Sequence, residues 1–153
     1  MTVEARLKAL NIVLPTPPAP VASYVPYVVS GTNVYVSGQV TLAPDGLKYV
    51  GTIGKELSIE DGKAAAKLCA LNVIAQAKAA CGGDLERVKR VVKVTVFVNA
   101  VPGFTQHPEV ANGASDLFVE AFGDAGRHAR AAVGAGSLPR NVATEVEAIL
   151  EIL

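Results

Sequence analysis

Charged side chains of two kinds stand out near the C-terminal end of this 153-residue chain. Arg130 lies among small apolar residues in "ARAAVGAG", and Glu145 and Glu147 follow in "NVATEVEAILEI". A guanidinium binds a carboxylate through two parallel hydrogen bonds. A glutamate carboxylate can hold a water molecule and accept its proton. The residue types fit carboxylate binding beside an activated water, although each one alone is more often an ordinary surface residue.

The sequence lacks the motifs of several other chemistries. It has no GxxxxGK[ST] phosphate loop, no GxGxxG fingerprint and no GxSxG elbow. His107 and His128 have no histidine at helical spacing and no cysteine cluster nearby, so we expect no metal. Cys69 and Cys81 fall in one predicted helix, about 18 Å apart, which is too far for a disulfide. We expect two buried thiols and no cofactor.

The composition excludes further classes of function. Basic and acidic residues balance at 14 each, aromatic residues make up 5%, and tryptophan is absent, which is unlike a nucleic-acid-binding protein. No apolar run approaches the roughly 20 residues of a membrane-spanning helix. The N-terminus lacks the apolar region of a signal peptide, so we expect a cytoplasmic protein without a membrane partner.

The chain is unusually apolar for its length. Half of its residues are hydrophobic, and its mean hydropathy is +0.35. We expect either a generous core or an apolar surface that meets another subunit.

The sequence predicts an N-terminal segment and one domain. Residues 1–23 comprise a short helix, predicted at 2–10, and the proline-rich arm "PTPPAP", for which a simple extended tether is the plainest interpretation. Residues 24–153 form the single domain, with the element order β-β-α-β-α-β-β, which predicts an α+β fold. The predicted elements are two strands in 24–42, a helix from Ser58 to Gly82–Gly83, a strand at 87–100, a helix at 107–126, and strands in "ARAAVGAG" and "NVATEVEAILEI".

Local patterns refine these elements. Pro26 predicts that the first strand is an edge strand, since proline cannot donate to a ladder. In the strand at 87–100, alternation predicts a buried face with Val92 and an opposite, mixed face with Val91. In the second helix, Asn112 and Gly113 predict irregular first turns.

Three segments together resemble one protein family. The segment "ARAAVGAGSLPRNVATEVEAIL" resembles the C-terminal signature of the RidA/YjgF family of imine/enamine deaminases, with its arginine, Leu138–Pro139 and an acidic strand. "VYVSGQ" (34–39) and "VVKVTVFV" (91–98) resemble two other strands of that family. The long N-terminal extension is similar to that of a longer, divergent branch. The resemblance implies a chorismate-mutase-like sheet with two main helices on one face, and a homotrimer with clefts between its subunits.

The resemblance also assigns roles to individual residues. It implies that Arg130 binds the substrate carboxylate and that Glu145 holds the attacking water. It places Ser37 in the cleft, together with Asn112 and a tyrosine, Tyr24 or alternatively Tyr27. The small residue at Ala132 lines the same cleft, where many members carry cysteine.

The activity implied is hydrolysis of 2-imino and 2-enamino acids to 2-keto acids and ammonia, without a metal or organic cofactor. One alternative is a non-catalytic protein that binds 2-keto acids or similar carboxylates in the same cleft. A third possibility is the endoribonuclease activity ascribed to some relatives, but the balanced charge and scarce aromatic residues argue against it.

Overall fold

The structure is a computed structural model that describes residues 1–17 and 22–153. The predicted arm, Pro15–Pro20, lies partly outside the described residues. The helices are α1 (Val3–Ala9), α2 (Ile59–Ala80) and α3 (His107–Phe122). The strands are β1 (Tyr27–Ser30), β2 (Asn33–Gln39), β3 (Leu42–Ala43), β4 (Gly46–Leu47), β5 (Val88–Asn99), β6 (Ala129–Ala135) and β7 (Thr144–Ile152).

A five-stranded sheet in the order β1-β2-β7-β5-β6 forms the centre of the molecule. Its pairs are antiparallel except β5–β6, which is parallel because α3 crosses from the end of one strand to the start of the next. β1 lies at the sheet edge, as Pro26 predicts. The two-residue strands β3 and β4 form a separate hairpin whose turn spans residues 43–46.

The two long helices cover one face of this sheet and leave the other open. Along β7 the buried residues alternate with more exposed ones, so that Val146 and Leu150 face the helices while Glu145 and Glu147 face the open side. Both α2 and α3 contact the sheet and each other. This confirms the predicted α+β architecture with two main helices on one face.

The face assignment predicted for β5 is wrong at one end of the strand. Val91 is fully buried, whereas Val92 is 36% exposed. The register against β7 shifts between Val88 and Arg90 and again between Val91 and Lys93. Each shift reverses which face the following side chains occupy, so simple alternation fails until Val94.

Capping residues fix α2 at both ends, as predicted. The Ser58 hydroxyl accepts from the Asp61 amide at 3.1 Å, and the Asp61 carboxylate accepts from the Ser58 amide at 2.9 Å. Gly82 and Gly83 follow the helix with φ of +65° and +96°, which favour glycine. Cys69 and Cys81 are buried free thiols, and burial raises the pKa of Cys69 to about 12.

Glycines let α2 and α3 cross closely. A β-carbon at Gly113 would collide with the backbone carbonyl of Lys63, and one at Gly62 would meet Ile53 and Val110. The prediction that Gly113 disrupts the first turns of α3 is wrong, because the helix is continuous from His107. The glycine serves the contact between the helices instead.

Within residues 1–17 and 22–153, every helix is too short or too polar to cross a membrane.

Candidate functional site

A bulge in β2 forms the first part of the site. Val36 pairs with Ala148 and Gln39 pairs with Val146, so that Ser37 and Gly38 together oppose the single residue Glu147. Two residues opposing one is the defining feature of a β-bulge, which bends a strand and redirects its side chains. The Ser-Gly-Gln segment therefore interrupts the ladder beside the two glutamates.

The Glu145 carboxylate lies directly over Gly38. A β-carbon at this position would overlap Oε1 of Glu145, so any larger residue would force the carboxylate to move. Glu145 is half-buried. Burial, and next the charge of Glu147, raise the pKa of Glu145 above its ordinary value. A carboxylate with a raised pKa is a stronger base once it is ionised.

Ser37 ties this bulge to the segment before β1. Its amide donates to the carbonyl of Pro26 at 2.9 Å, and its hydroxyl donates to the carbonyl of Val25 at 2.8 Å. The neighbouring Tyr24 is 68% exposed, whereas Tyr27 packs against the core. Of the two tyrosines considered from the sequence, Tyr24 is the more exposed, and Tyr27 is partly buried.

Beside the bulge, the open face of the sheet carries a groove of about 380 Å³. Polar and apolar side chains line it together, including Tyr35, Ser37, Lys93, Thr95 and Glu147. The groove is therefore a mixed surface with both charges present.

Arg130 lies elsewhere, at the outer edge of the sheet beside α3. Its Nη1 donates to Asn112 Oδ1 at 2.8 Å and to Ser115 Oγ at 3.2 Å. It is exposed, and it pairs in register with Val94, a residue of the helix-covered face. The structure thus brings Arg130 and Asn112 together, as the resemblance implies. Among the ion pairs of the described residues, none involves Arg130.

Ala132 continues the same row of β6. It pairs with the buried Val96 and packs against the core, two residues from Arg130. A β-carbon at the next position of this row, Gly134, would meet the His107 ring at 2.9 Å. Small residues therefore keep the space between β6 and α3 narrow.

Two residues that the sequence interpretation did not assign to the site lie behind Arg130. Ser115 Oγ is 2.9 Å from His128 Nε2, and His128 Nδ1 is 2.7 Å from the carbonyl of Gly126. A sequence signal did exist, because Ser115 follows Asn112 at helical spacing and His128 precedes Arg130 by two residues.

Within one chain the two halves of the predicted site do not meet. Arg130 points to the helix-covered side, and Glu145 points to the open side, paired with Phe97. The two lie two strands and three register positions apart, which corresponds to roughly 14 Å between α-carbons. A single small ligand cannot contact both within one chain.

No group of three or more His, Cys, Asp or Glu is placed to hold a metal ion within the described part of the chain.

Comparisons with known proteins identify the class of protein. The family model described as "YjgF/chorismate_mutase-like, putative endoribonuclease" matches residues 4–152. Protein TCP17 of Trypanosoma cruzi is 50% identical over 98% of this chain and 94% of its own length. The crystal structure of Atu1372, a protein of unknown function from Agrobacterium tumefaciens, is 44% identical with a TM-score of 0.93, covering 99% of this chain and 94% of that one.

A solved structure that bears the RidA name is also similar. RidA from an Antarctic Psychrobacter is 31% identical with a TM-score of 0.61, covering 91% of this chain and 98% of that one. The chain belongs to the RidA/YjgF family and has its chorismate-mutase-like α+β fold. Its structure is closer to that of Atu1372 than to that of this RidA.

Proposed function

We propose that this protein hydrolyses 2-imino acids, formed from 2-enamino acids, to 2-keto acids and ammonia in a cleft between subunits. The observation that carries the proposal is the Arg130 guanidinium, exposed and held by Asn112 and Ser115. A fixed arginine without an ion-pair partner among the described residues suits a ligand carboxylate.

Glu145 supplies the base in this proposal. As water attacks the imine carbon, its proton passes to the Glu145 carboxylate and the C=N π electrons move to nitrogen. Glu145 returns this proton to the nitrogen, which gives the carbinolamine. The carboxylate then passes the carbinol O–H proton to the nitrogen, the C–N bond breaks with its electron pair leaving on nitrogen as ammonia, and the oxygen becomes the keto group. The raised pKa of Glu145 makes its carboxylate a better acceptor of the proton from water, and the protonated carboxyl can then donate that proton to nitrogen. The protein supplies position and electrostatics to a substrate that is already electrophilic.

Arg130 and Glu145 come from different subunits in the proposed cleft, since they face opposite sides of one sheet. We propose a homotrimer assembled through the open sheet face. This face carries a row of Val28, Tyr35, Ile149 and Lys93 across four strands, and Val28 and Tyr35 are 51% and 44% exposed. Burial of such apolar surface favours association.

The test is a coupled assay in which a dehydratase generates the enamine and keto-acid release is followed with and without this protein. Wild type is expected to accelerate release. Arg130→Ala is expected to reduce kcat/KM by about 100-fold, since a hydrogen-bonded carboxylate contact is worth about 1.5–3 kcal/mol.

Arg140→Ala is the matched control, because Arg140 is an exposed arginine on the turn between β6 and β7. It is expected to keep wild-type activity. If wild type fails to accelerate release across a panel of amino-acid-derived imines, or if both variants lose activity equally, the proposal is wrong.

One observation favours a second candidate, non-catalytic binding of a 2-keto acid or similar carboxylate. The Arg130 anchor is complete within one chain, whereas Glu145 lies on the opposite face, so a carboxylate could bind without it. Calorimetry with a panel of keto acids separates the two functions. Saturable binding without any turnover of imines would establish the second.

A further inference from the structure

Behind Arg130, a chain of hydrogen bonds runs from α3 to the segment before β6. It links Arg130 Nη1 to Ser115 Oγ at 3.2 Å, Ser115 Oγ to His128 Nε2 at 2.9 Å, and His128 Nδ1 to the Gly126 carbonyl at 2.7 Å. These contacts link β6, which carries Arg130, to α3 and to the segment before β6.

With a neutral His128 ring, the chemistry of the two ends fixes the direction of every bond in the chain. The Gly126 carbonyl only accepts, so His128 Nδ1 carries the proton and donates. In the neutral ring Nε2 then accepts from the Ser115 hydroxyl. Because that hydroxyl has used its proton, its oxygen accepts from Arg130, which can only donate. With the neutral ring, all three contacts are satisfied by this one arrangement of protons.

The His128 ring is held firmly in this arrangement. It packs edge-on against the fully buried Phe118, with 5.6 Å between the ring centroids. Burial, with the nearby Arg130 charge as a smaller contribution, lowers the pKa of His128, while its bond to Gly126 opposes the shift. The neutral ring is therefore the favoured form near pH 7.

The chain leaves one edge of the guanidinium for a ligand. Both hydrogen bonds that the described residues make with Arg130 leave from Nη1. Nε and Nη2 form the edge that binds a carboxylate through two parallel bonds. A side chain already fixed in one orientation loses less conformational freedom when it binds.

We propose that Ser115 and His128 are positioning residues that hold the Arg130 guanidinium in the orientation that binds a carboxylate. The inference rests on the proposed role of Arg130 as the carboxylate anchor. It adds the specific claim that the anchor depends on a serine and a neutral histidine that do not touch the ligand.

The test uses the full-length protein and pyruvate as the probe, with affinity measured by calorimetry. Ser115→Ala and His128→Phe are each expected to raise the Kd for pyruvate about tenfold, as expected for loss of a hydrogen bond in a charged network. The Kd of the double variant is expected to be no higher than that of the single variant that binds pyruvate more weakly, because both changes break the same hydrogen-bond chain. In the imine assay the loss is expected in KM, with kcat changed less than twofold.

Two further variants separate positioning from a structural role. Ser115→Thr keeps the hydroxyl and is expected to restore the Kd to within about twofold of wild type. Ser137→Ala, in the exposed loop after β6, is the matched serine control and is expected to bind as wild type does. A Ser115→Thr variant that binds as weakly as Ser115→Ala would overturn the inference.

Arg130→Ala distinguishes this inference from the proposed function. If Arg130→Ala abolishes pyruvate binding while Ser115→Ala and His128→Phe bind as tightly as wild type, the positioning inference fails and the anchor stands. If Arg130→Ala itself binds pyruvate normally, the anchor and the inference both fail.

Discussion

Gly38 and Glu145 show how one missing β-carbon determines where a base can lie. Gly38→Ala places a methyl group on the carboxylate and should displace it from the bulge. We expect kcat/KM for imine hydrolysis to fall about 100-fold, because small displacements of a catalytic group are costly. Gly136→Ala, whose new β-carbon meets nothing within 4 Å, is the control and should leave the rate unchanged. Equal rates for both variants would contradict this role of Gly38.

The pKa of Glu145 gives a second prediction at the level of single residues. A base works only when it is ionised, so a raised pKa moves the acidic limb of the kcat/KM profile to a pH above the ordinary 4.5. Burial contributes most to this shift, and the charge of Glu147 adds to it. Glu147→Gln removes that charge and should move the limb to lower pH.

Glu151→Gln provides the comparison, because Glu151 shares the strand but pairs with Lys89. Its profile should match that of wild type. A limb that does not move in Glu147→Gln would show that the two carboxylates are not coupled.

The helix α3 holds Arg130 through Asn112 and Ser115, so the packing of α3 against α2 matters to the site. Gly113→Ala forces a methyl group against the Lys63 backbone. We expect the free energy of unfolding to fall by about 1–3 kcal/mol, the usual cost of overpacking. Urea denaturation measures the change, with Asp116→Ala, at an exposed position of α3, as the control. A Gly113→Ala variant as stable as this control would contradict the proposed close crossing.

The secondary structure elements follow from the sequence where the local pattern is regular. The residues of β7 alternate regularly between its two faces, and the predicted helix from Ser58 to Gly82–Gly83 matches α2 at both ends. The faces of β5 are predicted wrongly near Val91, because bulges are set by pairing with β7 and leave no mark in the strand itself.

The site is only partly predictable from the sequence, because some of its contacts depend on how separate elements pack together. Arg130 and Glu145 are marked by their residue types in apolar strands, and the resemblance links them. The contacts of Ser115 and His128 depend on how α3 packs beside β6, which is a tertiary contact that periodicity does not encode. The opposite faces of Arg130 and Glu145 emerge only from the strand order and register.

The proposed cleft needs more than one chain, because Arg130 and Glu145 face opposite sides of the sheet. The helices cover one sheet face, while the other keeps exposed apolar residues such as Val28 and Tyr35. A closed ring of three subunits buries such a face in each subunit and places one cleft at each of its boundaries. The high mean hydropathy of +0.35 is then explained by an interface as well as a core.

We propose that Arg130 of one subunit and Glu145 of its neighbour form one catalytic cleft, and mixed trimers provide a decisive test. Arg130→Ala and Glu145→Gln chains carry different affinity tags, are expressed together, and are purified through both tags. The expected species has three times the 15.8 kDa chain mass by light scattering. Each variant alone should be inactive.

In a mixed trimer with heterologous boundaries, one of the three clefts receives an intact Arg130 and an intact Glu145 from adjacent chains. We therefore expect the mixed trimer to hydrolyse the imine at about a third of the wild-type rate. Mixed trimers as inactive as either variant alone would contradict it.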